Sequence, residues 1–116
     1  MSKQEKIRVI IKDPGEEVGH EETIANELED LQKAVGGYIE TVTILDWTDD
    51  KQILIICDEE GRLEGKPHNC VVHGIDFVGT IIVAASQGEK LISLPERAMD
   101  LWKAILTVSK FVDPSR

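Results

Sequence analysis

Residues 53–69 read ILIICDEEGRLEGKPHN, and the organisation of the chain is clearest when followed outward from this stretch. The uninterrupted apolar run Ile53–Ile56 predicts a strand that is covered on both faces and is therefore central in a sheet. Three acids and a glycine then predict a turn, and a second glycine with a proline redirects the chain. We expect a buried strand that leads into a polar loop, Asp58–Asn69, suited to present functional side chains.

The flanking sequence predicts further short strands. Lys6–Lys12 alternates apolar and basic residues at the period of a strand, and the Pro-Gly dipeptide that follows ends it. Tyr38–Leu45, with an irregularity near Thr41, is expected to pair with Ile53–Cys57 as a hairpin. Ile75–Ala85 is predicted to be one long strand with a bulge at its internal glycine, Gly79. A weak return strand is expected within Glu16–Thr23, and a short one at Leu91 and Ile92.

Two helices are predicted. The first would begin at an Asn26 cap, with Glu29 closing a capping box, and would end at Gly36. Its expected apolar face consists of Leu28, Leu31 and Val35. The second helix is indicated by a Ser93 cap, a proline in the first turn and Glu96 at the capping-box position. Its apolar stripe is predicted to contain Leu94, Ala98, Leu101, Trp102, Ile105 and Val108.

Short strands, hairpin-length turns and only two helices favour the α+β class. We expect one domain over residues 1–116, built as a single mainly antiparallel sheet of about five strands with two helices packed on it. No stretch reaches the roughly 18 apolar residues of a membrane span, and residues 1–6 lack the apolar segment of a signal peptide. The predicted location is cytoplasmic, where Cys57 and Cys70 are expected to be free thiols.

The charge is unevenly distributed. The formal net charge is −9, and residues 13–64 contain 16 acids against three bases, a net of −13, which leaves +4 for the remainder. Such a balance argues against direct nucleic-acid binding, which depends on neutralising phosphates with Lys and Arg. It is compatible with a basic protein partner, or with a solvated surface that keeps a small protein soluble.

Three segments resemble a known family: LQKAVGGYIE at 31–40, ICDEEGRLEGKPHN at 56–69 and VGT at 78–80. In order and spacing they resemble the domain of unknown function 3846 family, small proteins of bacteria, phages and mobile elements. The sequence departs from that family's usual pattern at Asp58, where Asn is usual, and at Lys66, where Leu is common. It departs again after Cys70, where Val71 and Val72 replace a more polar continuation. The resemblance implies one small domain and a mobile-element or phage-like origin, and it implies no activity.

Several residue groups are candidates for chemistry. Cys57, His68, Cys70 and His73 are the ligand types of a zinc site, but the close Cys pair typical of such sites is absent. Cys70 near either histidine would suit a nucleophile, yet two such residues in one loop also occur by chance. The acids at 58–60 do not follow calcium-loop spacing, and the glycines do not form a phosphate-binding pattern. We therefore predict no catalytic residue, no resident metal and no cofactor, and we regard an enzyme as the less favoured interpretation.

The predicted function is a non-enzymatic binding or regulatory module that contacts a basic protein partner through the acidic face between Asp46 and Glu64. The alternative is a small-ligand or metal binder that uses the His68–His73 loop. Tyr38 and Trp47 are candidates to stack on a ligand, or they lie at the edge of the core. The predicted binding residues are Asp58, Glu59, Glu60, Arg62, Lys66, His68 and Asn69.

Overall fold

The computed structural model describes residues 5–111, with side chains through residue 106. Within that range the elements are β1 (Lys6–Lys12), β2 (His20–Ala25), α1 (Leu28–Val35), β3 (Ile39–Asp46), β4 (Lys51–Asp58), β5 (His68–Val72), β6 (Ile75–Val78), β7 (Ile81–Gln87), β8 (Lys90–Ile92) and α2 (Glu96–Phe111). The strand pairs among them are antiparallel. The predicted α+β class is confirmed, whereas the single-domain assignment of 1–116 stays a prediction.

The described strands form a main sheet of six and a small sheet of two. The main sheet has the order β2-β1-β7-β4-β3, with β8 pairing to the end of β7, and β5 pairs with β6 in the small sheet. The expectation of about five strands is roughly right for the main sheet. The small sheet was not predicted.

Strand β4 is an interior strand, paired with β3 on one side and β7 on the other and covered on both faces, as its apolar run predicts. Its side chains alternate between the two faces of the sheet, so that Ile53 and Ile55 enter one hydrophobic cluster while Leu54 and Ile56 enter another. The predicted hairpin with β3 is present. The uninterrupted apolar run therefore correctly predicts burial on both faces. A strand covered by helices or hairpins on both faces has no solvent-exposed face that would require polar residues.

Different elements cover the two faces of the main sheet. On the α1 face, Leu31 and Val35 of α1 pack on the strands. On the α2 face, α2 and the β5–β6 hairpin close the larger cluster, which contains Cys70, Phe77 and Trp102. Trp102 is 1% exposed and its indole N–H donates to the Val18 carbonyl at 2.9 Å. Its predicted place in the core is confirmed, while Val108 lies outside the described side chains.

The predicted long strand over Ile75–Ala85 is wrong. The chain breaks at Gly79, whose φ of +71° is in the left-handed region, and the two halves become β6 and β7 in different sheets. The Gly79 N–H donates to the Pro67 carbonyl at 2.8 Å, which anchors the break to the preceding loop. The predicted loop is likewise too long, because β5 already begins at His68.

Neither Asn26 nor Ser93 caps its helix as predicted. The cap position of α1 is occupied by Glu27, without a side-chain capping bond, and Asn26 donates instead to the Leu91 carbonyl at 3.1 Å. The Ser93 hydroxyl accepts from the Arg8 N–H at 2.9 Å, and α2 begins later, at Glu96. Each side chain forms a tertiary contact between elements, which local spacing does not reveal.

Two smaller predictions also need correction. Leu28, assigned to the buried face of α1, is 57% exposed because it is the first residue of the helix. The irregularity in β3 lies between Thr43 and Leu45 rather than near Thr41. The C-terminal end of α1 is as predicted, with Gly36 at a φ of +81°. No helix among the described residues is long and apolar enough to cross a membrane.

Candidate functional site

An ion pair lies beneath the polar loop that follows β4. The Asp58 side chain is 2% exposed, and its Oδ2 lies 2.5 Å from the Lys66 ammonium. Its Oδ1 accepts the Glu60 N–H at 3.0 Å. The ammonium also donates to the carbonyls of Val35 and Gly36 at the end of α1, at 2.9 and 3.1 Å. These bonds tie the loop to the C-terminal end of the helix, where a cation also complements the helix dipole.

Two glycines make room for this ion pair. A Cβ on Gly37 would lie 2.5 Å from Asp58 Oδ1, closer than nonbonded atoms approach. A Cβ on Gly79 would lie 2.9 Å from Lys66 Cδ, at a left-handed φ that side chains rarely adopt. The three sequence segments that carry the family resemblance therefore meet here. Asp58 and Lys66, both from the second of these segments, contact each other.

Burial and pairing act in opposite directions on the Asp58 carboxyl. Burial raises the pKa of Asp58, but the hydrogen bonds from Lys66 and from the Glu60 N–H outweigh it and leave that pKa below its usual value. The carboxyl group is therefore ionised at neutral pH.

Asn69 occupies a second buried polar cluster. Its Oδ1 accepts from the Lys12 ammonium at 2.7 Å, and its Nδ2 donates to the carbonyls of Lys12 and Gly79 at 2.8 and 2.7 Å. Lys12 is 3% exposed and Asn69 is 8% exposed. This amide joins β1, β5 and the break after β6, so Asn69 is placed as a structural group.

The other predicted binding residues lie on the surface. Glu59, Glu60, Arg62 and His68 are all exposed. Arg62 donates to the Asp76 carbonyl at 2.6 Å, and His68 Nδ1 lies 2.7 Å from the Asp76 carboxylate. The seven predicted residues therefore divide into a buried group, with half-buried Lys66 at its rim, and an exposed group of four.

One of two depressions that share Asp58 is acidic. It has a volume of about 680 Å³ and lies between α1 and the loop after β4. We call it the acidic pocket; its lining includes Glu29, Asp30, Lys33, Tyr38, Glu60 and Glu64. The Tyr38 ring is 69% exposed at its rim. Carboxylates beside an open aromatic ring suit the ammonium or guanidinium group of a basic side chain.

The second depression has more apolar side chains in its lining and lies on the α2 face. We call it the apolar groove; it has a volume of about 380 Å³ and its lining includes Val42, Leu63, Ile75, Phe77 and Val78. Leu63 is 86% exposed and Ile75 is 38% exposed. Glu40, Glu59 and Asp76 also line it, with Arg62 as the basic residue. An apolar side chain entering this groove would cover Leu63, which water otherwise surrounds.

The four candidate zinc ligands are not brought together. Among the described residues, no group of three or more His, Cys, Asp or Glu side chains is arranged to hold a metal ion. Cys57 and Cys70 are buried free thiols, as predicted, and burial raises the pKa of each to about 11. At neutral pH both are protonated and thus poor nucleophiles. His68 begins β5 while His73 lies in the turn after it, so that a whole strand separates them.

Sequence reasoning missed part of this surface. Glu29, Asp30 and Leu63 were not among the predicted binding residues. Leu63 did carry a signal, since it is the one large apolar residue between Asp58 and Asn69. Glu29 and Asp30 of α1 carried no such signal, because nothing in the neighbouring sequence indicates that the loop after β4 folds back to that helix.

A sequence model of one family matches residues 7–107, and the description of that family is Domain of unknown function (DUF3846). No curated protein and no solved structure matches the chain. The match covers most of the chain and contains all the residues of the buried ion pair, the acidic pocket and the apolar groove. The chain therefore belongs to the family of domain of unknown function 3846.

Proposed function

We propose that this protein is a non-enzymatic binding module that recognises a basic protein partner through the acidic surface beside β3. The observation that carries the proposal is the acidic pocket, in which four exposed carboxylates and the open Tyr38 ring surround a depression large enough for side chains. Negative charge concentrated there attracts basic partners and steers them during encounter.

The structure changes which acids would make the contact. The sequence predicts the triplet Asp58, Glu59 and Glu60, but Asp58 is engaged with Lys66 beneath the surface. The exposed acids Glu59 and Glu60 extend the surface from the pocket to the groove. Glu29 and Asp30 of α1 complete it on the other side.

The biological setting we propose is a phage or mobile element. This part rests on the family resemblance alone. Because many proteins in such settings act on nucleic acids, a basic nucleic-acid-binding protein would be a fitting partner, and the acidic surface would compete with its phosphate ligand. Sequencing the genes adjacent to this one would test the setting independently of the binding proposal.

The test of binding uses fluorescence anisotropy with labelled octalysine as the basic probe. The variant Glu59→Lys/Glu60→Lys is compared with Glu89→Lys/Asp100→Lys, which makes the same change in net charge at exposed positions elsewhere. We expect the first variant to lose at least about tenfold in affinity and the second to lose less than about threefold. Equal losses would show attraction to net charge without a site and would contradict the proposal.

A further inference from the structure

Strand β3 leaves one side of the main sheet open. Seven of its eight residues pair with β4, and no strand in the described range 5–111 pairs with its other side. The Tyr38 carbonyl accepts from the Glu59 N–H, which sets the alternation of the β3–β4 ladder. The backbone N–H and C=O groups of Thr41 and Thr43 therefore point away from β4, toward the open side.

The opposite edge of the sheet is better protected. Strand β2 carries His20, Glu21 and Glu22, and His20 bonds the carboxylates of both Glu16 and Glu22. Charged side chains and their networks are a common way to block an edge strand. Between Ile39 and Thr43, by contrast, β3 has a single charged residue, Glu40, and no proline. The two threonines are exposed and are favourable strand formers.

The two depressions lie on opposite faces at this open edge. Val42 and Glu40 of β3 line the apolar groove on the α2 face. Tyr38, just before β3, lines the acidic pocket on the side of α1. Because successive side chains of a strand point to opposite faces, a strand added here would direct alternate side chains to the groove and to the acidic pocket.

Charge decides between the two possible kinds of occupant. A second copy would bring the acids that line these two depressions close to their own counterparts, at a net charge of −9 for each chain. Like charges on facing strands destabilise their pairing. A basic segment would instead neutralise the acids that line both depressions.

We infer that an extended segment of the basic partner adds to β3 as a seventh strand, with apolar residues in the groove alternating with Lys or Arg residues on the acidic side. This inference rests on the proposed function and specifies how the partner binds. We specify antiparallel addition, because every strand pair among the described residues is antiparallel. In that arrangement, residues of the segment opposite Thr41 and Thr43 share their face, the α1 face, and direct their own N–H groups toward β3. The basic residues therefore supply the backbone hydrogen bonds.

The experiment uses an octapeptide of alternating Lys and Val, and two derivatives of the same charge. One derivative carries backbone N-methyl groups on every Lys, and the other carries them on every Val. The first loses the N–H groups that face β3, and the second loses those that face solvent. We expect the Lys-methylated peptide to bind the full chain at least about tenfold more weakly than the unmodified peptide. The Val-methylated peptide should remain within about threefold.

Two matched variants locate the edge. Thr41→Pro removes an outward N–H from β3 without removing a bond to β4. Thr23→Pro does the same on β2, because the Asn26 N–H bonds the Glu5 carbonyl and so directs the Thr23 N–H outward. We expect Thr41→Pro to weaken binding of the unmodified peptide at least about tenfold and Thr23→Pro to leave it unchanged. Circular dichroism and thermal unfolding verify that both variants fold. Leu63→Gln, at an exposed position, removes an apolar contact without adding charge and is a further variant that should weaken binding.

The outcomes separate the binding mode from the proposed function. Strand addition would be overturned if the two methylated peptides bound equally well, or if Thr41→Pro bound the unmodified peptide as tightly as the native chain does. The proposed function would survive either result if Glu59→Lys/Glu60→Lys still reduced the affinity for octalysine. Failure of both octalysine and the alternating peptide to bind would overturn both. Sedimentation that shows a native dimer and a Thr41→Pro monomer would assign the edge to a second copy and would also overturn the inference.

Discussion

The two sides of the loop after β4 use the same kinds of residue for different purposes. On its inner side, Asp58 is buried, Lys66 bonds the end of α1, and nearby Asn69 joins three segments of backbone. On its outer side, Glu59 and Glu60 face solvent beside the two depressions. A polar residue in a loop can therefore be required by the interior of the fold, and only burial distinguishes this case from a binding surface.

The largest effect is expected from Asp58→Asn. This change leaves the Lys66 ammonium without its closest counter-ion, although both helix carbonyls remain. The free energy of unfolding should fall by about 3 kcal/mol, measured by urea denaturation. Glu59→Gln, the same chemical change on the outer side, is the matched control and should stay within about 0.5 kcal/mol.

A double variant sharpens this prediction. Asp58→Asn/Lys66→Leu removes both charges together. It should recover most of the lost stability, because replacing both members of a buried ion pair is often close to neutral. If the double variant were less stable than Asp58→Asn alone, the ion pair would not be the source of the loss.

A smaller effect is expected from Asn69→Ala. It removes the amide that accepts from Lys12 and donates to two buried carbonyls. The free energy of unfolding should fall by about 2 kcal/mol, since these buried groups lose their partners. In His68→Ala, one residue earlier but exposed, the free energy of unfolding should fall by less than about 1 kcal/mol. Similar losses in both variants would contradict the division between the inner and outer sides.

The smallest effect concerns acid pH. The pKa of Asp58 is lower in the folded chain than in the unfolded chain, so the ionised carboxylate contributes stability above its unfolded pKa. That contribution is lost as the pH falls through the folded pKa. Urea unfolding between about pH 6 and pH 2 should therefore show a decline in stability that is shallower in Asp58→Asn than in the native chain. Parallel declines in the two proteins would indicate that other carboxyl groups account for the acid sensitivity.

Much of the framework follows from patterns that depend on neighbouring residues in the chain. The interior position of β4, the β3–β4 hairpin and the end of α1 at Gly36 were predicted from an apolar run, a polar turn and a glycine. The break at Gly79 was not, because the largely apolar composition of residues 75–85 conceals the place where one strand ends and the next begins. The predicted capping roles of Asn26 and Ser93 were wrong for a related reason, since each side chain forms a hydrogen bond with a backbone group distant in sequence.

The candidate site was less predictable than the fold. Sequence identified the correct loop, but the periodicity of a loop does not say which of its polar residues point inward. The acidic pocket is formed only when α1 and this loop come together, and the apolar groove also requires β6. Such surfaces depend on tertiary contacts between segments that are separate in sequence.

The position of β7 has a consequence for the order in which the molecule assembles. The β1–β2 and β3–β4 hairpins are complete once residue 58 has been synthesised, but β7, which lies between β1 and β4, ends at Gln87. Until then the two hairpins have no strand to join them, and the inner edges of β1 and β4 are open. A nascent chain of this length exposes apolar strand edges, the kind of surface that chaperones shield. Insertion of β7 then closes both edges in one step.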